Sequence, residues 1–289
     1  MTQVSVLSSH ACHLGEGPSW HPGRAKAFWF DIMERRFLEM GLDDEAPRIH
    51  DLPFHATVAA RVDDQSHLIA SDAGLHLRSI DSGALIELRP FWDERPGTRS
   101  NDGAIHSSGA LWISTMSWRF EPGLGRIWWY RAGELRLIAE DLTIPNAISF
   151  SPDGRTAYFS DTTEHVIYRI AVDPATGVPT SDRQVFCRVS GGGPDGATVD
   201  ADGLLWNARW GGHAVDAYDP DGRLVRSISL PARQVSCPAF AGPSLDRLIV
   251  TSAYEGYDAE KRAAEPEAGW TFLVDGPFHG LPEPAVLIG

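Results

Sequence analysis

One strand-like pattern recurs six times along the 289-residue chain, each time after a short polar turn. The copies are Phe28-Trp29-Phe30-Asp31, Leu68-Ile69-Ala70-Ser71-Asp72, Leu111-Trp112-Ile113-Ser114-Thr115, Ala157-Tyr158-Phe159-Ser160-Asp161, Leu204-Leu205-Trp206-Asn207-Ala208 and Leu248-Ile249-Val250-Thr251-Ser252. They end at 31, 72, 115, 161, 208 and 252, giving steps of 41, 43, 46, 47 and 44 residues. A repeat of this length with only strand-like patterning inside it reads as a propeller blade, a unit that buries its faces only against its neighbours. The expected fold is all-β: a single domain over 1–289, a six-bladed β-propeller with four antiparallel strands per blade. Such a ring brings residues far apart in sequence to one axial site.

Hydrophobic residues make up 43% of the chain, enough for a packed core and too many for a disordered one. A net charge of −14 argues against nucleic acid as a partner, because phosphate binding needs clustered Lys and Arg. No apolar run reaches the ~18 residues of a membrane span, and Met1 to His13 does not read as a signal peptide. Cys12, Cys187 and Cys237 form no CxxC pair and leave an odd count, which points to free thiols in a reducing compartment. The expectation is a cytoplasmic protein with no membrane partner, and a monomer, since a closed propeller exposes no obvious sheet edge.

Helical periodicity is confined to Tyr257–Ala264, which starts near Asp258 and stops before Pro266. Elsewhere strands alternate with turns such as Pro152-Asp153-Gly154, Asp202-Gly203 and Asp221-Gly222, which supply positive φ and local Asx hydrogen bonds. Gly191-Gly192-Gly193 reads as the most flexible segment. Trp29, Trp112, Trp128 and Trp206 fall in strands and are expected to pack between blades, whereas Trp92, Trp118 and Trp210 fall in loop-like contexts.

In a propeller the first strand of each blade lines the central channel and begins at one of its mouths. Counting back from the six repeat ends reaches Glu16, Thr57, Asn101, Asn146, Asp195 and Cys237. Four of these are Glu, Asn, Asn and Asp, each within two residues of Gly or Pro. Asx-Gly pairs are also plain turn formers, but turn chemistry does not require one repeat position. Two carboxylates and two amides converging on an axis offer oxygen ligands to a cation, a set that suits calcium, magnesium or manganese and tolerates iron or zinc. The expected site is therefore a metal centre at one mouth of the channel. His55 and His213 fall near the predicted channel-mouth loops, and Trp118 and Trp210 are candidate walls for a sugar-binding pocket or covers of its rim.

Leu14-Gly15-Glu16-Gly17-Pro18, Arg99-Ser100-Asn101-Asp102-Gly103, Thr115-Met116, Asn146 with Ser151-Pro152-Asp153-Gly154, and Pro194-Asp195-Gly196 together resemble the family of senescence-marker protein (regucalcin), gluconolactonase and luciferin-regenerating enzyme. Trp210-Gly211-Gly212 and Phe240-Ala241-Gly242-Pro243 resemble its bacterial sugar-lactonase branch. The resemblance implies one divalent metal, calcium first, with Zn2+, Mn2+, Mg2+ or Fe2+ as alternatives. It implies Glu16, Asn146 and Asp195 as ligands, Asp195 also as general base, and substrate contacts from Arg99 and Asn101. Some relatives carry an acidic substrate-binding residue two positions after the Thr-Met pair; here that position is Trp118.

The implied reaction is metal-dependent hydrolysis of a sugar (aldono-) lactone to the sugar acid by a metal-activated water, with Asp195 taking its proton. No Gly-x-Ser-x-Gly elbow and no His-Glu-x-x-His run supports another hydrolase. Two alternatives stay open: a non-catalytic calcium-binding regulatory propeller using the same oxygen cage, and a metal-dependent esterase or phosphotriesterase.

Overall fold

The computed structural model describes residues 2–289. Its strands fall into antiparallel meanders of four, in chain order. The first runs Gly15–His21, Lys26–Asp31, Arg36–Met40 and Arg48–Asp51; the second Ala56–Arg61, Ser66–Ser71, Gly74–Ser79 and Leu85–Pro90. The third runs Thr98–Ile105, Leu111–Ser117, Gly125–Arg131 and Glu134–Leu142; the fourth Pro145–Phe150, Thr156–Asp161, Val166–Ala171 and Gln184–Arg188. An eight-stranded sheet completes the set. It comprises Gly193–Val199, Leu205–Trp210, Ala214–Tyr218 and Leu224–Ser229, then Gln234–Ala241, Arg247–Ala253, Thr271–Asp275 and the N-terminal Gln3–Ser8. One residue pair, Trp210 with Gln234, joins its two halves. This is the all-β, propeller-like pattern that the repeat predicts.

Burial follows strand order for a compositional reason. The second strands carry the repeated apolar motif and are buried almost throughout, as in Leu111–Ser117 and Ser66–Ser71. The fourth strands lie at a sheet edge and are more exposed, as in Arg48–Asp51 and Leu85–Pro90, the latter even though Ile86 and Leu88 are apolar. A strand covered on both faces reads as a continuous apolar run, and an edge strand does not.

The chain separates into two compact units. One holds Phe54–Val189 with the C-terminal Glu283–Gly289, and so the second, third and fourth sheets. There Trp112, Ile127, Ile148 and Phe159 form one core, and Val58, Leu111, Tyr130 and Val286 another. The tail is tied down by Val286 N–H to Arg61 O (2.8 Å) and Leu287 N–H to Gly109 O (2.9 Å). The other unit holds the chain up to Pro53 with Ser190–Pro282. There Trp29 packs with Leu7, Leu38 and Ile249, and Trp206 with Val235, Phe272 and Phe278.

Trp29, Trp112 and Trp206 are fully buried, as expected of packing residues, while Trp128 is half-buried. Trp92 lies in an irregular segment, as its context suggests, and is buried; one expectation changes, because Trp210 ends a strand rather than lying in a loop. The helix is Ala259–Ala264, shorter than the periodicity suggests, because Asp258 is its N-cap and accepts from Lys261 N–H. Cys12, Cys187 and Cys237 are free and buried. No helix among the described residues is long and apolar enough to cross a membrane.

The strand Gln3–Ser8 pairs with Thr271–Asp275, so residues from opposite ends of the sequence complete one sheet. Deleting residues 2–8 removes that ladder and the buried Leu7 side chain, and leaves a bare edge. The expected outcome is a loss on the order of 3 kcal/mol or more, read as a lower urea midpoint.

Candidate functional site

All six positions picked out by the repeat lie on first strands, and each of those strands is bulged there. The pairing register slips between Glu16 and Ser19, Ala56 and Val58, Ser100 and Gly103, Asn146 and Ser149, Pro194 and Ala197, and Val235 and Pro238. Thr57, Asn101, Asp195 and Cys237 fall inside those slips, and Glu16 and Asn146 border them. A bulge kinks its strand and re-aims the extra residue's side chain.

The sequence reading missed what holds these bulges. The residue before each repeat end is buried and polar in five copies: Ser71, Ser114, Ser160, Asn207 and Thr251. Three of them bond to the bulge beside them. Asn207 Nδ2 donates to the carbonyls of Asp195 (2.7 Å) and Gly196 (3.1 Å). Ser114 Oγ accepts from Asp102 N–H (2.9 Å), and Thr251 Oγ1 donates to Cys237 O (3.2 Å). A kinked strand leaves ladder groups without partners, and a buried polar side chain on the next strand satisfies them. The signal was visible as a polar residue at a fixed place in an apolar run.

In the unit holding Phe54–Val189, a hydrogen-bonded chain links three expected site residues. Arg99 is buried, and its Nη1 donates to Ser100 O (2.8 Å) and Asn101 Oδ1 (2.9 Å). Because Asn101 Oδ1 accepts, its Nδ2 is the donor to Pro145 O (3.1 Å) and Asn146 Oδ1 (2.7 Å). Asn146 Nδ2 in turn donates to Thr162 Oγ1 (2.9 Å). The direction of every amide is thereby fixed, and one lone pair remains on Asn146 Oδ1. The Arg99 guanidinium lies 5.2 Å from the centre of the Trp118 ring. Trp118 is half-buried and meets the His55 ring edge-on at 4.9 Å. His55 is thus drawn to this cluster, while His213 is exposed.

In the other unit Glu16 is half-buried and accepts from Gly17 N–H (3.0 Å), while Asp195 is buried. Gly196 is required by close approach, since a Cβ there would lie 2.3 Å from Cys237 Sγ. Gly191–Gly193 is fastened, contrary to the flexible segment that its composition suggests. The buried Arg209 pairs with Asp216 and donates to Ser190 O and Gly192 O, gripping the segment that leads into Asp195. Trp210 is half-buried, with its backbone paired to Gly193 and Gln234.

These donors, two carboxylates and an amide oxygen, each in or bordering a bulge, are of the kind that fits a hard cation. Among the described residues no three His, Cys, Asp or Glu side chains cluster as metal ligands.

The region common to SMP-30, gluconolactonase and LRE-like proteins matches residues 14–254, which include all six bulge positions. The chain belongs to this family. A Rhizobium meliloti (strain 1021) protein assigned as a sugar lactone lactonase is 47% identical over 97% of this chain and 96% of its own. A pentonolactonase of Haloferax volcanii is 34% identical over 98% and 97%. The crystal structure of a calcium-binding protein, regucalcin, from Agrobacterium tumefaciens superposes with a TM-score of 0.94 at 43% identity, covering 97% of this chain and 96% of that one. The family match therefore extends over nearly all of the propeller-like fold.

Two outcomes test this geometry. Arg209→Met strands the buried Asp216 and releases Ser190 and Gly192. It is expected to cost about 3–5 kcal/mol by denaturant unfolding. Asp102 accepts from Gly103 N–H and Ile148 N–H, yet burial pushes its carboxyl up to about 6. A raised carboxyl stabilises the fold while protonated, and that contribution is lost as pH rises from its unfolded value of about 3.8 through 6. Melting curves should show wild type losing ground to Asp102→Asn across that window.

Proposed function

We propose that this protein hydrolyses a sugar (aldono-) lactone to the sugar acid with the help of one divalent cation. The observation that carries the reading is the fixed Arg99–Asn101–Asn146 chain, in a protein similar over nearly its whole length to lactonases. In this reading the chain is one six-bladed propeller. The single Trp210–Gln234 pairing supports counting the eight-stranded sheet as two blades.

Glu16, Asn146 and Asp195 would hold the cation, calcium by the hardness of the oxygen set. When bound, the cation supplies Lewis acidity toward the lactone carbonyl and the attacking water. Asp195 takes the proton of that water as it adds to the carbonyl carbon, and so acts as general base. The tetrahedral intermediate carries negative charge, which the Arg99 guanidinium can stabilise or steer. Asn101, its amide oriented by Arg99, hydrogen-bonds the carbonyl or a hydroxyl. Collapse breaks the ring ester C–O bond, and the former ring oxygen leaves as a hydroxyl by taking the proton that Asp195 removed from the water. Trp118 and Trp210 border the substrate; the Arg99 guanidinium over Trp118 supports it as the platform that sets this arginine.

The test is hydrolysis of an aldonolactone panel, followed by proton release, with chelated enzyme and with single divalent metals added back. Metal-restored turnover, abolished in Asp195→Ala together with metal binding, is the expected result. Near-normal hydrolysis by Asp195→Ala would sink the general-base assignment. Metal binding without turnover on any lactone would favour the second reading, a calcium-binding regulatory protein, which the likeness to a calcium-binding regucalcin supports.

A further inference from the structure

Asp31, Asp72 and Asp161 occupy the same repeat position, at or just after the end of a second strand. Each turns back to cap the chain entering the first strand of its sheet. Asp31 gives its two carboxylate oxygens to the successive N–H groups of His13 (2.9 Å) and Leu14 (3.2 Å). Asp161 does the same for Thr143 (2.7 Å) and Ile144 (3.3 Å). Asp72 departs from this pattern. One oxygen accepts from His55 N–H (2.9 Å), but the other lies 2.7 Å from His55 Nδ1.

A carboxylate can only accept, so Nδ1 carries the proton, and in the neutral form of the ring Nε2 then presents a lone pair. Among the described residues Nε2 has no hydrogen-bond partner, and the side chain is 27% exposed. The ring is held twice, by Asp72 and by its edge-on contact with Trp118, whose ring also carries the Arg99 guanidinium. His55, Trp118 and Arg99 are therefore contiguous, and beyond Arg99 come Asn101 and Asn146. A capping oxygen diverted to orient an imidazole, with the free nitrogen at the end of that row, is an arrangement for accepting a hydrogen bond from a ligand.

We propose that His55 is a specificity-determining residue whose Nε2 accepts a hydrogen bond from a hydroxyl of the sugar lactone, with Asp72 as its positioning residue. The proposal rests on the lactonase reading above. A contact made equally in ground and transition states changes KM and leaves kcat alone.

The test is steady-state hydrolysis of the aldonolactone that the wild type accepts, by the full-length protein with its metal and by two variants. His55→Phe keeps a ring against Trp118 without the acceptor, and His55→Gln offers Oε1 near the place of Nε2. The expected result is a KM raised about tenfold in His55→Phe, with kcat within about twofold, and an intermediate KM in His55→Gln. A His55→Phe variant with wild-type KM, or with lowered kcat at unchanged KM, would overturn the proposal, as would a His55→Gln variant no better than His55→Phe. Each of those results leaves the lactonase reading standing. Absence of wild-type turnover on any aldonolactone would overturn both.

Discussion

The candidate site residues depend on a defect in regular pairing that the sheets repeat. Each first strand carries a bulge at the position where Glu16, Thr57, Asn101, Asn146, Asp195 or Cys237 stands. Unbulged strands would keep strict alternation, and neighbouring positions would face opposite sides of the sheet. The bulge breaks that alternation and leaves backbone groups in need of partners. Ser114, Asn207 and Thr251 supply them from the adjacent strand. A polar residue in the middle of an apolar strand thus satisfies the bulge beside it.

Around this shared device the two units bring different chemistry. The unit with Phe54–Val189 holds Arg99, Asn101 and Asn146 in one directed hydrogen-bond chain, so no amide is free to turn. Such preorganisation matters for ester hydrolysis, because donors already in place need no reorientation as charge develops. The other unit holds the carboxylates Glu16 and Asp195. Its buried Arg209–Asp216 pair grips the backbone just before Asp195. Removing either charge would strand the other in a poorly solvated place, which makes the grip stiff.

Membership in the SMP-30/gluconolactonase/LRE-like family accounts for the shared fold, and Trp118 is a feature of this chain that bears on its candidate site. A tryptophan offers no oxygen to a polyol. It carries the Arg99 guanidinium and packs against the His55 ring.

Much of this was legible in the chain itself. The repeat spacing determined the strand meanders and which strand in each is buried, because a strand covered on both faces must be apolar. The register of Glu16, Asn101, Asn146 and Asp195 was also legible, since equivalent repeat positions occupy equivalent places. Composition misjudged Gly191–Gly193, because Arg209, gripping from another strand, fastens what glycine alone would leave loose. The helix came out shorter than its periodicity because Asp258 serves as cap and not as first turn. Only the tertiary structure decided the bulges, the direction of each amide and the pairing of His55 with Asp72. These depend on which buried polar group finds which partner across strands, and local sequence does not encode that choice.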